Sequence, residues 1–342
     1  MPERRADIDM AKGLAILLVV FGHIVARQDP QNVQWYEPLR RAVYSFHMPF
    51  FLYLSGLVAA SSGFLFRGRA GFPGAVRARA RRLLVPFFAV GLVVLAGKLA
   101  AARFIFVDHA PANIAAGLDG LFWHTGNSPA LSIWYLFVLF VLSLATLWLL
   151  NGKAERLAWL LAMSLLLYPF NLPAYAYADR VFTYAPFFLL GAMAGFAGPR
   201  WDRILDACWP YALVFFTAGL ICVALRGQSE SQKAVMLPLG TLSMPALHGA
   251  MRHIGNAKWR TGLLFFGRRS FAIYLGNTIC IGLAKGIMLR FIPWDGENFL
   301  LFAPALALAG TFGPIAVKQY GFKLSATVKR LGIQPHFEKY PP

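Results

Sequence analysis

The chain has 342 residues, 58% of them hydrophobic and only 14% charged, with a mean hydropathy of +0.55 and a formal net charge of +18. Soluble domains carry charge on about a quarter of their residues, so a soluble fold is excluded. Apolar runs of about 20 residues, long enough to cross a bilayer as helices, recur along the whole chain. The composition predicts an all-α, polytopic integral membrane bundle.

The first run, "DIDMAKGLAILLVVFGH" from Asp7 to His23, is read as a retained first transmembrane helix and not as a cleaved signal peptide, because acidic and basic residues crowd its entrance. About ten spans follow from the hydropathy pattern, at roughly 9–27, 43–62, 83–102, 129–150, 157–173, 181–197, 207–225, 234–251, 270–289 and 299–317. No linker or repeat divides them, which predicts one membrane domain over 1–320 and a tail over 321–342. Lys and Arg collect in alternate connections, most densely in the arginine run of residues 67–82, whereas Asp and Glu show no such bias. That asymmetry places both termini in the cytoplasm and accounts for the positive charge without nucleic acid. Cys208, Cys222 and Cys280 stand alone in apolar runs and read as small buried residues. No metal-ligand set is present.

Within the first span, Lys12 and His23 are eleven residues apart. At 100° per residue they share one stripe of the helix, separated by roughly 16 Å along its axis. Ionisable groups inside a membrane span usually serve function, although a lysine near the end of a span can also snorkel to the interface. The second span opens "AVYSFHMPFFLYLSG". His47 enters it from the side at which His23 leaves the first span, so the two imidazoles reach similar depths on adjacent helices. Pro49 pre-sets the entry of this helix, and Ser55-Gly56 suits close helix packing. Asp7 and Asp9 are expected to hold Arg5 and Lys12 in place. The arginine run fits topology control or lipid headgroups, and equally a phosphorylated cytosolic ligand. The loop "FIFVDHAPANIAAGLDGLFWHTGNSP" suits a short interfacial helix or the border of a cleft. Trp134 and Tyr135 suit either an aromatic belt or stacking on a sugar.

These segments resemble the membrane acyltransferase 3 family. Lys12 and His23 match its Arg/Lys-x10-His signature. "YSFHMPFFLYLSG" matches its FHMP-x-FF-x-x-SG segment, and Arg79-Ala80-Arg81-Arg82 its RxxR motif. "IWYLFVLF", "APFFLLGAMAG" and "FGRRSFAIYLGN" follow in family order. The "DIxKG" start is similar to the sugar O-acetyltransferase and exopolysaccharide-modifying branch. The resemblance implies an integral enzyme of a bacterial inner membrane that moves an acyl group, commonly acetyl from cytosolic acetyl-CoA, to a hydroxyl of a glycan or lipid-linked sugar. It implies no permanently bound cofactor. His23 and His47 are then the catalytic candidates; Lys12, Arg79 and Arg82 the acyl-CoA-binding candidates; Trp134, Tyr135 and Asn277 the substrate-binding candidates. One departure stands out, since Gly276-Asn277 occupies the place where many members carry a histidine. A transporter or flippase of polysaccharide precursors is the rival reading. It suits many spans with intramembrane ionisable groups, but not the absence of repeated halves or the clustering of polar groups in the first three spans.

Overall fold

In a computed structural model, residues 5–25, 33–103, 107, 110–225 and 232–330 are described. Helices run through them in the order α1 (Ala6–His23), α2 (Tyr36–Tyr44), α3 (His47–Ser61), α4 (Phe72–Arg79), α5 (Val85–Ala101), α6 (Ile114–Phe122), α7 (Trp134–Leu150), α8 (Arg156–Leu167), α9 (Ala178–Ala197), α10 (Pro199–Leu225), α11 (Gln232–Ser243), α12 (Gly249–Arg252), α13 (Ala257–Met288) and α14 (Phe299–Arg330). Among the described residues there is no strand, only a single bridge between His124 and Tyr175. The molecule is an all-α membrane bundle, as composition predicts.

Among the described residues, eight helical segments are long and apolar enough to cross a membrane. The first span is not one of the eight: α1 carries Asp7, Asp9 and Lys12 in 18 residues. The expected fifth span is the shorter α8, of 12 residues. Two connections expected to be loops are helical instead. The arginine run continues through α4 into α5, giving one span at Phe72–Ala101, and residues 257–269 form the first turns of the 32-residue α13. Arginine and lysine are good helix formers, so a charge run next to an apolar run simply lengthens the helix. The tail from residue 331, together with Asp108 and His109 of the long loop, lies outside the described residues. Cys222 is exposed on α10 and not buried as expected, because α10 lies at the periphery of the bundle.

The segment Tyr36–Ser61 lies at the centre, with 78% of its span window buried, against 11% for Pro199–Leu225. Two close crossings fix the helices that matter most. α3 meets α9 at Gly56 and Gly191, where a β-carbon would strike the carbonyls of Phe188 and Tyr53. α1 meets α13 at Gly13 and Gly267, where it would strike those of Leu263 and Asp9. Without an aqueous driving force between membrane helices, such backbone contact supplies the packing.

Three breaks interrupt the spans. Between α2 and α3 the chain bends at Ser45-Phe46, and Pro49 sits in the first turn of α3. Elsewhere, π-helical turns occupy Ala80–Leu84 and Met244–His248. Pro86 and Pro245 provide no N–H to the helical ladder there, and π turns of this kind recur at functional sites.

Candidate functional site

His23 ends α1 and His47 begins α3, so the helix boundaries themselves bring the two imidazoles to one end of the bundle. They lie within electrostatic reach of one another. The α2 tyrosines tie the two helices together. Tyr44 Oη donates to the Gly22 carbonyl at 3.0 Å while its ring packs edge-on against His47 at 4.9 Å. Tyr36 Oη donates to the Phe21 carbonyl at 2.7 Å. His47 is 3% exposed, and its Nδ1 lies 2.8 Å from the Val43 carbonyl. A carbonyl only accepts, so Nδ1 carries the proton and the neutral ring keeps its lone pair at Nε2. The bend at Ser45-Phe46 makes this possible: the Val43 carbonyl takes a tighter backbone bond from Phe46 N–H at 3.2 Å, and its second lone pair accepts from the imidazole. His23 is only half-buried and retains accessible surface.

The same face of α3 leads from His47 towards the opposite end of the bundle. His47, Phe51 and Ser55 follow one another at four-residue spacing over roughly 12 Å. Phe51 packs edge-on against Tyr135, and Ser55 Oγ is 2.6 Å from Tyr135 Oη. Tyr135 in turn lies within electrostatic reach of both Arg79 and Arg82. Arg79 is half-buried with its guanidinium 4.0 Å from the centre of the Phe64 ring, whereas Arg82 is exposed in the π turn. The expected arginines therefore form one pole and the histidines the other, with Tyr135 and Ser55 between them. Lys12 lies on α1 along the stripe that ends at His23, half-buried.

The far wall is aromatic. Trp134 stacks on Tyr184 at 4.7 Å and carries the Arg180 guanidinium at 4.9 Å, so its ring is engaged by the protein's own side chains. Tyr184 is within electrostatic reach of Tyr44. Tyr274 Oη donates to the Ser132 carbonyl at 2.5 Å. One residue before Thr278, whose hydroxyl meets Ser132 Oγ at 3.0 Å, Asn277 is 1% exposed. Its Nδ2 donates back to the Ile273 and Tyr274 carbonyls, each at 3.0 Å, while Oδ1 is buried with no hydrogen-bond partner among the described residues.

A second cluster lies at the end of the bundle that bears the N-terminus. Arg5 bonds both Asp7 (2.6 Å) and Asp202 (2.7 Å), and Arg252 reaches Asp7 (3.3 Å) and Asp206 (2.7 Å). Behind these ion pairs, Trp201 Nε1 donates to Tyr53 Oη at 2.7 Å. Tyr53 Oη lies 2.8 Å from His248 Nδ1, and His248 Nε2 lies 3.2 Å from Asp7 Oδ2. The carboxylate accepts a hydrogen bond from Nε2–H, leaving Nδ1 to accept from the tyrosine. His248 is 0% exposed. The expected pairing of Asp7 with Arg5 is present, but Asp7 also secures α12 and the second π turn. Asp7→Ala leaves the buried His248 N–H without its acceptor and takes one carboxylate from Arg5 and Arg252, which keep Asp202 and Asp206. These side chains are partly exposed, so the cost falls below that of a fully buried pair, about 3–5 kcal/mol. The expected result is a markedly lower Tm in detergent, with Asp7→Asn intermediate, measured by intrinsic fluorescence; an unchanged Tm would show that the clasp contributes nothing.

Sequence reasoning missed Tyr44, Arg180, Tyr184 and His248. Tyr44 is adjacent to the FHMP segment and was visible there. Arg180 and Tyr184 sit around "YAYADR", which reads locally as a turn and a span entrance. Nothing near "MPALHG" marks His248, whose partners come from distant helices.

A family model described as an acyltransferase domain, that of acyltransferase 3, matches residues 5–318. Two curated relatives are similar over most of their length. Nodulation protein NolL of Sinorhizobium fredii (strain NBRC 101917 / NGR234) is 28% identical over 338 residues, covering 90% of this chain and 86% of the relative. Nodulation protein NolL of Mesorhizobium japonicum (strain LMG 29417 / CECT 9101 / MAFF 303099) is 25% identical over 344 residues, covering 90% and 84%. No solved structure matches significantly. A family match that spans both histidines, the arginine turn and the aromatic wall places this chain in the acyltransferase 3 family, as an integral membrane acyltransferase of the O-acetyltransferase-like kind.

Proposed function

We propose that this enzyme takes an acetyl group from cytosolic acetyl-CoA and transfers it to a sugar hydroxyl of a surface or exported glycan. The supporting observation is the axis just described, with an arginine pole and a histidine pair on opposite sides of Tyr135 and Ser55. The Lys and Arg asymmetry of the sequence sets the arginine pole towards the cytoplasm of a bacterial inner membrane, with both termini on that side.

The CoA phosphates are held by Arg79 and Arg82, whose guanidinium forks match phosphate oxygens, with Lys12 adding charge along α1. The acyl-bearing arm passes Tyr135 and Ser55 and brings the thioester to the histidines. The acceptor hydroxyl approaches from the opposite side. His23, keeping accessible surface, removes its proton as the oxygen attacks the thioester carbonyl. When the tetrahedral intermediate collapses, the C–S bond breaks and the CoA thiolate recovers the proton from His23. His47, with its lone pair at Nε2, accepts a hydrogen bond from the acceptor or from the protonated His23. Asn277 on α13, with its buried Oδ1 left as an acceptor, is a further substrate-binding candidate at the position where the family resemblance leads one to expect a histidine.

The test is transfer of radiolabelled acetyl from acetyl-CoA to a sugar acceptor by the purified protein in nanodiscs. Label on the sugar with stoichiometric release of CoA supports the reading. Transport of a lipid-linked sugar by a protein that transfers no label would replace it with the flippase.

A further inference from the structure

Away from the histidine–arginine axis, two adjacent half-buried side chains at the aromatic wall each carry one buried, unsatisfied polar atom. Asp179 and Arg180 lie in the first turn of α9. Asp179 Oδ1 and Arg180 Nη1 are both buried, and neither makes a hydrogen bond among the described residues. Folded proteins pair nearly all such atoms, so those left unpaired mark a strained or ligand-binding place. The position of these two is firmly held. Ala176 and Tyr177 adopt φ of 46° and 60°, a left-handed conformation costly for residues with a β-carbon. Thr125 holds it: its N–H and Oγ1 both donate to the Ala174 carbonyl, and Oγ1 accepts from Tyr177 N at 3.1 Å. The Arg180 guanidinium is braced on the Trp134 ring. One turn along the same face of α9, Tyr184 stacks on Trp134 at 4.7 Å and lies within electrostatic reach of Tyr44, which packs on His47.

The two unpaired atoms have opposite requirements. Asp179 Oδ1 needs a donor and Arg180 Nη1 needs an acceptor. A phosphate or carboxylate satisfies the arginine but repels the aspartate. Neighbouring hydroxyls of a sugar satisfy both, since each hydroxyl donates one hydrogen bond and accepts others. We infer that Asp179 and Arg180 form the subsite that grips the acceptor by a pair of adjacent sugar hydroxyls, and so determine which hydroxyl reaches His23. This inference rests on the proposed sugar O-acetylation.

The experiment uses full-length protein in nanodiscs, labelled acetyl-CoA, a methyl hexoside with free vicinal hydroxyls, and mono-O-methyl derivatives of that hexoside. Asp179→Asn and Arg180→Gln are each expected to raise the acceptor KM by about tenfold or more, the loss of a hydrogen bond to a charged group. The KM for acetyl-CoA stays within about twofold of wild type, since the donor is held at the other pole. Preference for the hexoside over its O-methyl derivatives collapses in both variants, and Arg180→Lys restores part of it. Unchanged acceptor KM and preference in an active series overturns the subsite alone. A parallel loss for donor and acceptor, with no rescue by lysine, also overturns it in favour of a structural role. A wild type that acetylates no hexoside at all overturns the acetyltransfer reading and the subsite with it.

Discussion

His23→Ala is expected to reduce the turnover of acyl transfer by about a thousandfold while leaving acetyl-CoA affinity within about threefold of wild type. Positioned general bases contribute about 10²–10⁴ in rate, and an acceptor hydroxyl is far too weak an acid to attack without one. The imidazole sits at the end of α1, away from the arginine pole, so its removal leaves the donor's charged contacts in place. His47→Ala is expected to cost less, about ten- to a hundredfold, because its Nδ1–H is committed to the Val43 carbonyl and only Nε2 faces the reaction. His47 is also 3% exposed, so its loss leaves a cavity at the start of α3, and His47→Asn keeps a donor for Val43 and isolates the role of Nε2. If the two histidines act as one unit, the double variant falls no further than His23→Ala. Initial rates of CoA release and of label transfer measure both effects. Full activity in His23→Ala would remove the general base from the account.

Arg79→Ala is expected to raise the KM for acetyl-CoA by about tenfold to a hundredfold with little change in kcat. Each hydrogen bond to a charged group is worth about 1.5–3 kcal/mol, and this guanidinium is half-buried and braced on Phe64. Arg79→Lys is expected to recover only part of the loss, because a lysine cannot present a planar fork or lie flat on the ring in the same way. Arg82→Ala acts in the same direction but more weakly, since Arg82 is exposed and its contact is screened by salt. Acetyl-pantetheine, which lacks the nucleotide phosphates, provides the control: its KM is expected to be insensitive to either substitution. Equal sensitivity of both thioesters would mean that the arginines support the fold and not the phosphates.

The sequence was legible where function is carried by local pattern. Lys12 and His23 share a stripe by helical arithmetic alone, and the FHMP segment puts His47 beside its own helix boundary. The arginine run was legible as a charged cluster, but its continuation as helix through a π turn was not, because that depends on Pro86 and on packing against α7. Asp179, Arg180 and His248 were invisible for a related reason. Their significance lies in which atoms remain unpaired or become paired after distant helices have packed, and no single window of sequence holds that information. The Asp7 charge at the start of α1 is likewise met by Arg252 and His248 from distant helices, partners that the first run alone does not reveal.

The central claim is that one site accepts its donor from the N-terminal face and its acceptor from the other. The most direct measurement uses proteoliposomes with the methyl hexoside trapped inside and labelled acetyl-CoA added outside, the orientation of the enzyme being read by protease cleavage of an N-terminal tag. The account predicts label on the trapped sugar in proportion to the protein whose N-terminus faces outward, and none with His23→Ala. Label confined to sugar added on the same side as acetyl-CoA, with the trapped sugar unlabelled, would contradict it.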